Sequence, residues 1–362
     1  MEDINSVKSF YSCEPSFKSR VARFWGWYAS VADRFYQVIE DGKCPSLADE
    51  VGEKVDELLG NFAWVFGPGA EGKGHSFTLS AEGDSHKQLL TQYWESCAPE
   101  INGWTFYPAR QPGSVKNWVL KIGDDDFRPI EFWLTPELDE ERKIIHLTVW
   151  HPLFEKLDKN AKYRVLFLAL DETLGEYGVE QWLGRIDLGS GKLVGSIPIL
   201  ELPEYIAGLQ SSKGWKKLPP GQSGVVYKIK ETSGKYPRSD VYVGTSEHYT
   251  LIRDYMEASG RWANPVVRYG ADFASAAFPA SWLKQGEEIA SRSKIEDALD
   301  AALRAEKSGR LLGGATGTDN AYIDLLLLDG ARSREIANQV LREQGLPGDT
   351  TLRSFATMEA DA

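Results

Sequence analysis

Acidic side chains give this sequence its clearest opportunity for acid–base chemistry. Asp171, Glu172 and Glu176 fall within one short segment, and two carboxyl groups that meet in a cleft can serve as a general acid and a general base. Helix capping and surface charge explain the same spacing in the ordinary case, because only separation in space decides between them. The acidic run at residues 124–126 is better interpreted as a solvated turn. We therefore predict a candidate acidic site at Asp171, Glu172 and Glu176 and name no catalytic residue.

Histidines are the natural proton carriers for such carboxylates. The chain has five of them; none forms an i, i+4 pair, and none lies beside a cysteine at metal-ligand spacing. His146 and His151 flank one predicted strand and could carry protons, which would make the chain a carboxylate-dependent hydrolase. Two ordinary histidines on a sheet are the simpler interpretation. We expect no metal site.

Two glycine-rich strings imitate nucleotide-binding motifs. Residues 67–74 carry both outer glycines and the lysine of a P-loop, but Gly74 stands where Mg²⁺ coordination needs a hydroxyl. The residues that follow alternate like a strand, whereas a phosphate site needs the N-terminus of a helix. Gly313, Gly314 and Gly317 lack the dinucleotide spacing and precede a predicted strand, so we interpret them as a tight turn or a β-bulge. The first string predicts a hairpin loop, and no cofactor is expected.

Alternating strands predict a candidate binding surface. If Ile145, Leu147 and Val149 face a core, their neighbours face the other way, and the same argument applies to the strand around residues 130–134. The outward set mixes aromatic and polar side chains, which supply rigid contact area at binding sites. Either this face is open, or the long N-terminal helix covers it with its stripe of aromatic residues, and the second arrangement would give that stripe a partner. The outward set is Glu131, Trp133, His146 and Trp150.

Composition divides the chain into two predicted domains. The stretch at residues 213–223 is rich in Lys, Gly, Ser and Pro and contains Pro219-Pro220, so it predicts a linker. Ahead of it we expect an aromatic-rich domain over residues 1–212, and behind it a smaller domain over residues 224–362 that ends in a strand–helix–strand unit. The predicted fold class is α+β, with each domain a mostly antiparallel sheet packed with helices and containing a βαβ-like element.

Charge and composition limit the partners. With 41 Lys+Arg against 53 Asp+Glu the formal net charge is −12, which disfavours nucleic acid and favours steering toward a basic protein. No run of about 18 uncharged apolar residues predicts a membrane helix. Three cysteines and an N-terminus without a basic and apolar signal favour a reducing cytoplasm.

Short strings carry a resemblance that spans the first two hundred residues in pattern. LDETLGE at residues 170–176 and WLG at 182–184, together with Ala-Pro at 98–99 and Gly-Trp at 103–104, resemble uncharacterised bacterial proteins that carry domains of unknown function. Some proteins of that kind look like partners or immunity components of toxin systems, and the resemblance implies no catalytic residues. The favoured hypothesis is a cytoplasmic protein-binding or inhibitory module, and the alternative is the carboxylate-dependent hydrolase.

Overall fold

A computed structural model describes residues 15–113, 118–216, 218–229, 236–348 and 350–355. Helices and mostly antiparallel sheets occur together, which confirms the α+β fold class. In chain order the elements are α1 (Phe17–Glu40), α2 (Ala48–Leu58), β1 (Ala63–Pro68), β2 (His75–Ser80), α3 (Ser85–Ser96), β3 (Trp104–Tyr107), β4 (Leu120–Ile122), β5 (Asp125–Phe127), β6 (Trp133–Asp139), β7 (Ile144–Trp150), α4 (Lys159–Trp182), β8 (Leu183–Leu188), β9 (Ile197–Pro198), α5 (Leu202–Lys213), β10 (Val225–Lys228), β11 (Val241–Ser246), α6 (Tyr249–Glu257), β12 (Asp272–Pro279), α7 (Glu288–Ala305), β13 (Gly309–Gly317), β14 (Asn320–Leu327), α8 (Gly330–Glu343) and β15 (Thr351–Ser354). Within these ranges no helix is both long and apolar enough to cross a membrane.

The chain forms two compact units, and each is built from separate segments. Unit 1 comprises the described residues of Met1–Phe62, Ser85–Gly103 and Gly221–Ala362, and unit 2 comprises those of Ala63–Asp84 and Trp104–Pro220. This grouping differs from the division expected at residues 213–223, because the N-terminal helices and α3 belong to the unit that contains the C-terminal sheet. That the chain folds as two independent domains stays a prediction.

Unit 1 is organised by a six-stranded sheet in the order β10-β11-β13-β14-β12-β15. Its last four strands and the helices α7 and α8 follow one another as βαββαβ with strand order β13-β14-β12-β15, which is the ferredoxin-like, or split βαβ, arrangement. Strands β14 and β15 both run antiparallel to β12, which lies between them. The predicted strand–helix–strand unit at the C-terminal end is therefore a βαβ element with one strand inserted.

Apolar side chains of α7 and α8 cover one face of that sheet. Ile295, Leu299 and Leu303 lie one turn apart on α7 and pack with the alternate residues of β12 and β14 that point to the same face. On α8, Ile336 and Val340 complete this core in the same way.

The long first helix belongs to unit 1 as well. Backbone hydrogen bonds join its start to the rest of the unit, from Phe17 N–H to Gly270 O and from Lys18 N–H to Leu328 O, both 2.9 Å. Trp25 stacks on Trp94 of α3 with the ring centroids 4.7 Å apart, and its indole N–H donates to the Trp94 carbonyl at 2.9 Å. The predicted aromatic stripe thus finds a packing partner within its own unit.

Unit 2 contains a three-stranded sheet and a four-stranded sheet, in the orders β1-β2-β3 and β8-β7-β6-β9. Strands β1 and β2 form an antiparallel hairpin, so the string at residues 67–74 is the predicted hairpin loop. Strand β3 pairs in parallel with β2. The helix that connects these strands in the sequence, α3, belongs to unit 1, so this strand–helix–strand sequence is not contained in a single unit. Helices α4 and α5 contribute Val165, Leu166 and Ile206 to the core beneath the four-stranded sheet.

Candidate functional site

The predicted acidic site lies on α4, at a break in the helix. Gly175 has φ 71° and ψ 162°, a conformation outside the helical region in the middle of the element. Glycine adopts positive φ without the steric cost that a side chain brings. A Cβ atom there would lie 2.8 Å from the carbonyl oxygen of Arg110. Both the lack of space for a side chain and the backbone conformation therefore require glycine. The break sets the direction in which the next residue, Glu176, points.

The Glu176 side chain is buried, with 3% exposure, and both of its carboxylate oxygens accept hydrogen bonds. One of its oxygens accepts the Ser80 hydroxyl at 2.8 Å and the Arg110 backbone N–H at 3.3 Å. The other accepts the Gly83 backbone N–H at 3.1 Å. Several donors aimed at one carboxylate hold it in place. Glu176 therefore binds the loop after β2 and the segment after β3 to α4.

Asp171 has a contrasting environment one turn earlier on the same helix. It is half-buried, and among the described residues no hydrogen bond or ion pair reaches its carboxyl group. Burial, followed by the charge of Glu176, raises the pKa of Asp171 to about 6, while Arg110 lowers it in part. Neighbouring carboxyl groups whose environments differ in this way can divide the roles of proton donor and anion.

Glu172 takes a different position from its two acidic neighbours. Its backbone carbonyl accepts the Gly113 N–H at 2.8 Å, and its carboxyl group occupies the space next to Gly113, where a Cβ atom would lie 1.7 Å from the Glu172 Oε1. Asp171 thus interacts electrostatically with Glu176, whereas Glu172 packs against the segment at Gly113. Arg110 and Ser80 complete the site, and no motif in the sequence singles out either of them.

The raised pKa of Asp171 predicts a pH-dependent stability. The unfolded carboxyl group has the lower pKa, so the native state binds more protons between about pH 4 and 6, and this group's contribution to stability falls as the pH rises through that window. Asp171→Asn replaces the carboxyl group by a neutral amide, so the variant does not lose this stability as the pH rises. After allowance for partial exposure, we expect the substitution to raise the free energy of unfolding by about 1–2 kcal/mol above pH 7 and by much less near pH 4.

Urea unfolding monitored at both pH values measures this difference. The exposed Glu155 on the same unit provides the control, and Glu155→Gln is expected to leave stability unchanged at either pH. Equal stability of Asp171→Asn and the native chain above pH 7 would contradict the assignment.

The four-stranded sheet places the predicted aromatic and polar residues on one face. In the register of β6 and β7, Trp133 lies opposite Trp150, and Glu137 lies opposite His146. The alternate residues, such as Leu134 and Val149, are fully buried on the other side. Trp133, His146 and Trp150 are half-buried, and Glu137 is exposed. We call the side that carries Trp133, Glu137, His146 and Trp150 the outer face.

Glu131 is displaced from the expected strand. Residues Pro129–Glu131 form a short 3-10 turn before β6 begins, and Ile130, which was expected to face the core, is 65% exposed. Proline at the start of this segment favours such a turn over a strand interior. The Glu131 carboxylate lies 3.8 Å from the His151 Nε2 atom instead of joining the outer face through a strand position.

A short loop borders the outer face. The Lys192 ammonium group lies over the Trp133 ring, which is the geometry of a cation–π contact. Leu193 and Val194 follow at the tip, the first half-exposed and the second fully exposed. The Ser196 hydroxyl bonds both Thr135 Oγ1 and the Leu193 carbonyl at 2.8 Å and fixes the shape of the tip. We call Leu193 and Val194 the apolar tip.

Both histidines proposed as proton carriers use a ring nitrogen in backbone bonds. His146 Nδ1 accepts the Arg185 N–H at 2.9 Å, and His151 Nδ1 accepts the Leu153 N–H at 3.1 Å. Burial lowers the pKa of His151 to about 4, and its ring lies among phenylalanine side chains. Among the described residues neither histidine is hydrogen-bonded to Asp171. Each lies near a different carboxylate, with His146 Nε2 3.9 Å from Asp139 Oδ2 and His151 Nε2 3.8 Å from Glu131 Oε2.

No group of three or more His, Cys, Asp or Glu side chains in the described parts of the chain could hold a metal ion. Comparison with known proteins adds no family: no family model matches the chain, and neither the curated proteins nor the solved structures contain a significant match.

Proposed function

We propose that this chain is a protein-binding module, and that the outer face of unit 2 with its apolar tip contacts a basic protein. The observation that carries the proposal is the placement of Trp133 and Trp150 directly opposite each other on the side of the sheet away from the core. Tryptophan is among the residues most enriched where binding energy concentrates in interfaces. A paired arrangement on two adjacent strands supplies a rigid surface of this kind.

The apolar tip supports the same proposal. Val194 is fully exposed and its neighbour Leu193 is half-exposed. A partner that covers both side chains would gain favourable free energy from the burial of their apolar surface. The tip is held by the Ser196 hydrogen bonds, so little conformational freedom is lost on binding. An aromatic centre with an apolar edge and a charged surround is the usual composition of a protein contact surface.

Charge supports a basic partner. The formal net charge of −12 steers positively charged proteins toward the chain. On the outer face, Glu137 is 71% exposed and makes one ion pair, with Arg185, and Asp139 lies two residues further along the same strand. Binding that covers a partner's active surface would make the module inhibitory, as the immunity-like hypothesis requires.

The proposal predicts a site-specific crosslink. A photoreactive residue at Val194 is expected to capture a protein richer in Lys+Arg than in Asp+Glu, whereas the same residue at Ile289, which is 71% exposed in unit 1, is expected to capture none. Binding of the purified partner, measured by calorimetry, should weaken by roughly thirtyfold or more in Trp150→Ala and in Val194→Asp, which corresponds to about 2 kcal/mol.

Val194→Asp distinguishes a lost contact from a lost fold, because a fully exposed side chain contributes little to stability. Its circular dichroism spectrum and unfolding midpoint are expected to equal those of the native chain. A captured protein that is acidic, a crosslink of equal strength at both positions, or undiminished binding by Val194→Asp would refute the proposal.

The carboxylate-dependent hydrolase remains a second candidate, and one observation favours it. Burial and the neighbouring Glu176 raise the pKa of Asp171 to about 6, so this carboxyl group could exchange a proton in weakly acidic solution. Hydrolysis of a test substrate that is abolished by Asp171→Asn and retained by Val194→Asp would favour this function over binding.

A further inference from the structure

Three side chains of unit 1 form a hydrogen-bonded chain that no sequence motif indicates. His86 is the second residue of α3, His248 immediately precedes α6, and Asp254 lies within α6. The two histidines are 9% and 6% exposed. Residues from two helices distant in sequence therefore meet at one point inside the unit.

The distances define the chain. His86 Nδ1 lies 2.7 Å from His248 Nε2, and His86 Nε2 lies 3.2 Å from the Asp254 Oδ2 atom. The two imidazole rings meet edge to face with centroids 4.8 Å apart. Both ring nitrogens of His86 are thus engaged, one by a carboxylate and one by the second histidine.

This geometry restricts where the protons can be. A carboxylate accepts, so His86 Nε2 carries a proton toward Asp254. When His86 is neutral, its Nδ1 must accept, and His248 must donate from Nε2. When His86 is an imidazolium, its Nδ1 donates, and His248 must accept at Nε2 and carry its proton on Nδ1. The same heavy-atom positions serve both states, which differ by one proton.

The surrounding charges favour the second histidine as the neutral member. Arg253 bonds the Asp254 carboxylate at 2.9 and 3.0 Å, and Arg310, which pairs with Glu247, faces the same region. Burial, the neighbouring His86 and these two arginines lower the pKa of His248 to about 3. The rings of Trp262 and Phe273 pack against the pair.

We propose that His86, His248 and Asp254 form a proton-relaying clasp between α3 and α6, which takes up one proton while unit 1 stays folded. The proton binds His248 Nδ1, the proton on His248 Nε2 passes to His86 Nδ1, and the positive charge comes to rest on His86 beside Asp254. His248 ends neutral as the other tautomer. A second proton would place two imidazolium rings in contact, so strong acid opens the clasp.

Nitrogen NMR of histidine-labelled protein tests the relay, because the five histidines can be resolved individually. On acidification we expect His86 to become charged and His248 to change from the Nε2–H to the Nδ1–H tautomer, both with one shared midpoint. His86→Gln and His248→Gln assign the signals.

Asp254→Asn provides a variant that leaves both rings in place. It removes the charge that stabilises the His86 imidazolium, so the shared midpoint is expected to fall by about one pH unit. The matched control, Glu257→Gln on the exposed side of α6, should leave the midpoint unchanged. Two separate midpoints, or an imidazolium on His248 while His86 stays neutral, would overturn the proposal.

Discussion

Asp324→Ala is expected to destabilise unit 1 by about 3–5 kcal/mol. Asp324 on β14 and Arg238 form an ion pair in which both side chains are almost completely buried, 1% and 3% exposed. The guanidinium contacts both carboxylate oxygens, with Nη2 to Oδ2 at 3.1 Å. Removal of the carboxylate leaves a buried, charged arginine without its counter-ion. This unpaired charge accounts for the expected loss in the free energy of unfolding.

Arg238 has additional partners that fix its position. Its Nη1 donates to the Ser275 hydroxyl at 3.1 Å and its Nη2 to the Tyr227 hydroxyl at 3.3 Å. Its backbone N–H donates to the Tyr322 hydroxyl at 3.2 Å. The aspartate thus neutralises a charge that the rest of the structure holds rigidly in place, so the arginine cannot swing out to solvent after the substitution.

A double replacement distinguishes the destabilisation caused by one unpaired charge from the net contribution of the ion pair to stability. Arg238→Met combined with Asp324→Leu removes both charges, and the double variant is expected to recover most of the stability lost by either single change. Urea unfolding of the native chain, of the single variants Arg238→Met and Asp324→Leu, and of the double variant gives the coupling free energy of the pair. The exposed pair Arg332–Glu335 is the control, since Glu335→Ala should cost less than about 1 kcal/mol. A loss of similar size at Asp324 and Glu335 would show that the buried pair is solvated.

Gly175→Ala is expected to destabilise unit 2 by about 3 kcal/mol. Alanine at φ 71° and ψ 162° occupies a backbone region used almost only by glycine, which costs about 1–3 kcal/mol. The new methyl group would also meet the Arg110 carbonyl and the Pro112 ring, each at 2.8 Å. Both effects act on the break in α4 that positions Glu176, so the loss should be accompanied by weaker Glu176 hydrogen bonds.

Gly208→Ala supplies a control of opposite sign. Gly208 is an exposed residue inside α5 of the same unit, and a Cβ atom there meets nothing within 4 Å. Alanine in a helix interior is favoured over glycine by about 0.5–1 kcal/mol, so this variant should be slightly more stable than the native chain. Calorimetric unfolding of both variants measures the contrast. A neutral or stabilising Gly175→Ala would mean that α4 continues through this position without a break.

Local patterns were sufficient where one face of an element decides its structure. The alternation of β7 was predicted correctly at residues 144–150, and the hairpin around residues 67–74 followed from the strand-like residues after it. By the same kind of pattern the apolar run at residues 164–169 predicts a strand, but it lies inside α4. Continuous apolar residues carry no period that separates a buried helix from a buried strand, so that error has a physical origin.

Partners distant in sequence explain the remaining differences. Gly313, Gly314 and Gly317 belong to β13 and not to a tight turn. The pairing of β13 with β14 shifts register between Leu311 and Gly313, which agrees with the alternative of a bulge. A Cβ atom on Gly314 would lie 2.3 Å from the Glu296 carboxylate of α7, so the glycine makes room for a side chain that no local pattern identifies. The sequence places Asp171 and Glu176 in one segment, whereas the break at Gly175 that orients Glu176 depends on contacts with Arg110 and Pro112.

The segments of unit 1 lie far apart in the sequence, and this has a consequence for synthesis on the ribosome. Helix α1 emerges early, yet the carbonyl groups that anchor its first turn belong to Gly270 and Leu328. At ordinary translation speeds of about 5–20 residues per second, the aromatic side of α1 waits for tens of seconds before those anchors exist. Nascent chains of this protein are therefore expected to recruit a chaperone that shields apolar helices until the last strands have been made.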